Sequence, residues 1–167
     1  MHQNWVKNRL RNNSSYLKGN RVTILGIMTL DSYLAEYKES HENPVNIKIH
    51  FICVPLIMWS LLGFLHTFVI AGVPLSYLVV AGGLLYYLSF RNIRVFFAMT
   101  LLTLFMLSTF ALVPEMRLVS IVVFITAWLG QFYGHKVEGK KPSFFKDLVF
   151  LLIGPVWIIK KIFPKFI

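Results

Sequence analysis

Between Ile49 and Ile70 the chain reads IHFICVPLIMWSLLGFLHTFVI, 22 consecutive residues without a lysine, arginine, aspartate or glutamate. A bilayer core of about 30 Å is crossed by about 20 apolar residues in helical form, because a helix satisfies its backbone polar groups internally. Three further apolar runs follow, at 73–90, 95–113 and 118–133, set apart by a glycine-proline turn and by the polar breaks RNIR and PEMR. With 56% hydrophobic and 14% charged residues, the pattern predicts an all-α integral membrane helical bundle with four transmembrane helices. Gly82 and Gly83 offer a close-packing spot for a neighbouring helix. The run from Leu148 to Ile159 is short and interrupted by Gly154 and Pro155, so a re-entrant or interfacial hairpin is expected there.

Residues 1–27 carry five basic side chains and no acidic one around a Ser/Asn-rich centre, and their apolar stretch is too short for a signal-peptide core. They are expected to form a basic, disordered leader ahead of a single membrane-embedded domain at 28–167, with Met28 as an alternative start. From Leu30 the spacing turns helical: Leu30, Tyr33, Leu34, Tyr37 and His41 fall on one face, and the polar residues lie elsewhere. This predicts an N-terminal amphipathic helix too poor in apolar residues to span, lying at the interface or over the bundle. Asn43 and Pro44 then read as N-cap and first position of the next helix, on which Asn46 and His50 share a face.

Alternating spans bring the start of the first, the RNIR loop and the end of the fourth to one side. That side receives Arg91, Arg94, Lys136, Lys140, Lys141 and the basic tail, whereas the opposite loops hold only Arg117, so it is expected to be cytoplasmic. His41, His50 and His135 therefore share one membrane depth. Three neutral imidazoles converging there could hold iron, zinc or copper; alternatively they only cap helices and bind headgroups. His66 lies 16 residues beyond His50, about 24 Å along a helix, which assigns it to the opposite interface. The net charge of +10 fits anionic membrane lipids rather than nucleic acid, since no soluble segment joins a basic stripe to stacking aromatics. The lone Cys53 excludes an internal disulfide.

Polar neighbours extend the candidate site. Gln131 precedes His135 by four residues and Glu138 follows it by three, so either could orient its ring, as Asn46 could orient His50. Glu138 could also ligate directly, giving a mixed histidine and carboxylate set. Three functions follow: an iron oxygenase, a zinc-dependent membrane hydrolase with Glu138 as general base, or a non-catalytic lipid-binding protein. A transporter has neither internal repeats nor charged residues at mid-span to support it.

YKESHENPVNIKIHFICVP, residues 37–55, and QFYGHKVEGKKPSFFKDLVFLLIGP, residues 131–155, resemble the two signatures of a membrane family once described only as a domain of unknown function. That family includes fungal Fe(II)-dependent 2-hydroxy fatty acid dioxygenases of alpha-oxidation. The resemblance runs from about Met28 to Phe163 and rests on Tyr37, His41, Asn43, Pro44, Asn46, His50, Val54 and Pro55, then on Gln131, Gly134, His135, Glu138, Pro142 and Asp147. It implies Fe(II) held by His41, His50 and His135, a 2-hydroxy fatty acid and dioxygen as substrates, and cleavage between C1 and C2. In that setting Glu138 is a further catalytic candidate, Tyr37, Asn46 and Gln131 are candidates to support the metal ligands or meet the substrate, and Lys140 and Lys141 either attract its carboxylate or contact phospholipid. His66 falls where some members carry histidine, which makes it a further metal candidate. The shorter chain resembles the bacterial branch, which implies a bacterial cytoplasmic membrane.

Overall fold

The computed structural model describes residues 29–139 and 144–167; the leader at 1–27, with His2, and Lys140 and Lys141 lie outside the described residues. Helix α1, Leu30–Glu39, starts at Thr29, whose hydroxyl accepts from the amide of Ser32. It is the expected amphipathic helix, burying Leu30, Leu34 and Tyr37. Helix α2, Pro44–His66, begins as the sequence suggests. Asn43 caps it through a 2.9 Å bond from the amide of Val45, and Pro44 occupies a first-turn position whose amide needs no partner. The helix continues through Pro55.

Strands β1, Val69–Ile70, and β2, Val73–Pro74, form a two-residue hairpin in the register Val69 to Pro74 and Ile70 to Val73. Its tip, Ala71 and Gly72, has φ of 51° and 81°, the positive pair that matches the twist of a tight hairpin. This hairpin consumes the start of the second apolar run, 73–90. Helix α3 is only Leu75–Ser89, about 22 Å at 1.5 Å per residue and short of a hydrocarbon core. Helix α4, Ile93–Thr109, extends by a 3₁₀ turn to Leu112, and α5 runs Met116–Glu138. Gly139 ends α5 in the left-handed conformation, at φ 74°, that a helix terminus favours. Among the described residues three helices, α2, α4 with its extension and α5, are long and apolar enough to cross a membrane, where four had been expected.

The last apolar run also differs from expectation. Helix α6, Phe144–Ile162, passes through Gly154 and Pro155 without folding back. Gly154 is there for closeness rather than for a turn: a Cβ at this position would lie 3.0 Å from Val54 Cγ1 and 3.1 Å from the Tyr37 hydroxyl. Helix α6 therefore lies against α1 and α2, and Ile153, Val156 and Trp157 enter the core with Tyr37, Val54 and Met58.

The most extensive interface joins α2 and α5, and small residues permit it. Side chains at Gly63, Gly130 and Gly134 would collide with Met116 and Ser120, with Cys53, and with Asn46. In lipid, helices gain little from hiding apolar surface from water, so this close fit and its dispersion contacts hold the pair. Gly82 and Gly83 take no such role, because a Cβ at either meets nothing within 4 Å. Leu101, Phe105, Leu118, Val122 and Leu129 point outward and form the apolar belt that a bilayer would cover.

Candidate metal centre

Three separate elements deliver the histidines. The chain leaving α1 turns at Ser40, where the amide of His41 bonds the Lys38 carbonyl at 3.0 Å, and this turn holds His41 over the bundle. The second turn of α2 carries His50, and the last turn of α5 carries His135. Because α2 starts where α5 ends, their close packing brings His50 and His135 to 5.0 Å between ring centroids. His41 lies 4.3 Å from His50 and 5.5 Å from His135. All three are buried, and one nitrogen from each falls within 4.8 Å of the others.

Hydrogen bonds settle how two of the rings present themselves. His41 Nδ1 lies 2.6 Å from the Tyr37 carbonyl, and His50 Nδ1 lies 2.9 Å from the Asn46 carbonyl. A carbonyl can only accept, so each Nδ1 carries the proton and each Nε2 keeps its lone pair. This is the support that metal-binding histidines normally have, with the far nitrogen tied to a carbonyl and the near one left as donor. His41 Nε2 is buried without a hydrogen-bond partner, an arrangement that costs stability unless something accepts the lone pair. Tyr37 fixes the plane of this ring by stacking on it at 3.9 Å and 1°. Such a set of buried neutral nitrogens fits a divalent first-row ion.

Burial lowers the His41 pKa from 6.5 to about 4, with His135 adding to the effect and the bond to the Tyr37 carbonyl opposing it. The ring is thus neutral and ligand-ready at ordinary pH. As pH falls below about 6.5 the unfolded chain takes up a proton that the folded chain refuses. Stability contributed by His41 is therefore complete above that pH and falls by about 3 kcal/mol in all on the way down to pH 4. Metal-free protein in detergent is expected to melt lower at pH 4.5 than at pH 7.5, and His41→Gln is expected to flatten this dependence. An equally steep dependence in the variant would remove His41 as its source.

A cavity of about 40 Å³ adjoins the rings and is lined by His41, His50, His135, Trp128, Gln131 and Phe150, among others. Trp128, Gln131 and His135 follow at i, i+3 and i+7 on α5, a single helical face. That spacing is the signal by which Trp128, absent from the sequence reading, could have been found. Its indole N–H is buried without a partner. Trp157 and Phe150 come from α6, and Trp157 lies 5.5 Å from the His41 ring. The expected fold-back of this segment hid both of them.

Glu138 takes a different role from those expected. Its carboxylate accepts from the amides of Glu42 at 3.0 Å and Asn43 at 2.9 Å, and from Asn46 Nδ2 at 3.0 Å. It caps the start of α2 from the end of α5 and stands outside the three-histidine group. The hydrolase alternative gains no support from this placement, in which the carboxylate is occupied by three donors. Asn46 completes the joint: its amide also donates to the Ser40 carbonyl at 3.2 Å, and its own carbonyl holds His50. His66 is at the opposite end of α2, bonded to Ser76 Oγ at 2.9 Å and packed against Tyr77 and Phe110, so it is not part of this group.

Apolar helices of spanning length, closed at one end around three buried imidazoles and a small cavity, define a membrane protein with a candidate metal centre. The family model described as 2-hydroxy-palmitic acid dioxygenase Mpo1-like matches residues 27–166, and the chain belongs to this family. Neither a curated protein nor a solved structure matches it.

Proposed function

We propose that the chain is an Fe(II)-dependent dioxygenase that shortens 2-hydroxy fatty acids by one carbon at the cytoplasmic face of a bacterial membrane. The observation that carries this reading is the buried triad His41, His50 and His135 beside a cavity, in a chain whose family is described by that activity. The three histidines would hold the iron. Bound there, Fe(II) supplies the redox chemistry with dioxygen that amino-acid side chains lack.

The protein's part is to position, to hydrogen-bond and to exclude water. The Tyr37 and Asn46 carbonyls keep His41 and His50 in the donor tautomer. The Trp128 N–H and the Gln131 amide, both at the cavity wall, are suited to the hydroxyl and carboxylate of the substrate. Phe150, Leu151 and Val54 close the rest of that wall with apolar surface. Lys140 and Lys141 would draw the carboxylate toward the membrane surface.

The balance needs no outside reductant. One 2-hydroxy acid and one dioxygen give the acid shorter by one carbon, one carbon dioxide and one water: the C1–C2 bond breaks, C2 is oxidised to a carboxyl and dioxygen is fully reduced. The basic side chains Arg91, Arg94, Lys136, Lys160, Lys161 and Lys165 stand toward the histidine end, and Arg117 stands toward the other. This asymmetry favours a cytoplasmic site.

Protein reconstituted with Fe(II) and given 2-hydroxyhexadecanoic acid is expected to consume oxygen and release carbon dioxide in equal amounts. Turnover without oxygen, or with zinc in place of iron, would replace this reading with a hydrolytic one.

A further inference from the structure

A second cavity lies one side chain away from the histidines. It measures about 60 Å³ and is walled by Met58 and Leu62 of α2, Gly83 and Leu84 of α3, and Leu152 of α6. Two polar groups reach its wall, and both are already engaged. The Tyr87 hydroxyl donates to the Leu152 carbonyl at 2.7 Å, and the Thr103 hydroxyl donates to the Met99 carbonyl at 2.8 Å. A partly open hollow with an apolar wall and no free polar partner is poorly suited to water and leaves its lining short of dispersion contacts. It is a place for hydrocarbon.

Leu151 lines this cavity and also the one beside the histidines. Pro155, four residues further on, has no amide hydrogen to give the Leu151 carbonyl, so the hydrogen-bond ladder of α6 is interrupted at this residue. Leu151 is thus shared by the walls of both cavities, at a point where its helix lacks one main-chain hydrogen bond.

We infer that the second cavity is the acyl-tail subsite, entered past Leu151 by the chain of a 2-hydroxy acid whose head lies at the histidines. This rests on the functional reading above and adds to it a selection for length. From His50 to Leu62 is 12 residues, about 18 Å of helix. An extended chain that advances about 1.25 Å per C–C bond fills that distance with about 14 carbons. Acids much shorter than this stop short of the subsite's far wall at Leu62 and gain little from it.

Gly83 makes the inference testable, because it lines the cavity and a Cβ there meets nothing within 4 Å, which leaves room for a larger side chain to occupy part of the space. In protein reconstituted with Fe(II) and kept free of oxygen, Gly83→Leu is expected to weaken binding of 2-hydroxyhexadecanoic acid about tenfold, the worth of roughly two methylenes. Binding of 2-hydroxyoctanoic acid stays unchanged, and the melting temperature holds or rises. Leu151→Ala is expected to keep or tighten binding of the longer acid. If the wild type binds and oxidises both acids but Gly83→Leu does not discriminate between them, the tail lies in the bilayer and the subsite alone is overturned. If the wild type binds neither acid, the subsite and the functional reading fall together.

Discussion

Replacing His50 or His135 by alanine is expected to leave folded protein with less than about a tenth of the wild-type iron, since even a residue that merely supports a ligand is worth 10- to 100-fold in metal affinity. Each substitution takes one of three donors from a group whose nitrogens lie within 4.8 Å of one another, and no carboxylate in that group could replace it. His66→Ala, at the other end of α2, is the matched control and keeps its iron. Metal analysis of detergent-purified protein, with a melting curve to show that each variant folds, reads the result directly. Full iron in both His50→Ala and His135→Ala would move the site elsewhere.

A second large effect is expected at Glu138. Glu138→Ala leaves two main-chain amides at the start of α2 without their acceptor and takes one of two acceptors from the Asn46 amide, and it removes a negative charge from the positive end of a helix. Charge-assisted bonds that are partly open to solvent fall at the low end of their range, so the loss is about 2 kcal/mol, seen as a melting temperature lower by several degrees. The same joint sets α5 against α2 and hence His135 against His50, so iron affinity is expected to fall about tenfold. Glu138→Gln, which keeps an acceptor oxygen, is expected to lose less on both measures. Unchanged melting and unchanged affinity in Glu138→Ala would reduce this contact to an incidental one.

Local patterns gave most of what positions the site. The 3.6-residue period of α1, the Asn43-Pro44 start of α2 and the Gly139 end of α5 are short-range rules, and the structure follows them. Counting alternating runs was sufficient to bring three histidines to one end and send His66 to the other, even though the run at 73–90 yields a helix of only 15 residues. Long-range packing was not legible. Glycine has one signature in sequence and two uses in space: Gly82-Gly83 faces open room, whereas Gly134 and Gly154 mark close approaches. Gly154-Pro155 likewise reads as a breaker, but a glycine pressed against Tyr37 and Val54 favours a continuous helix there. With α6 straightened, Trp157 and Phe150 join the site. The partner of Glu138 depended on where α2 begins relative to α5, which no spacing within either helix encodes.

His135 follows His50 by 85 positions, with a hairpin and two intervening helices between them. A polypeptide emerging from the ribosome therefore holds only an incomplete pair of imidazoles until the final span has been inserted and docked. On the proposed reading, metal capture would await finished assembly, because a product that stops before α5 would lack the third imidazole.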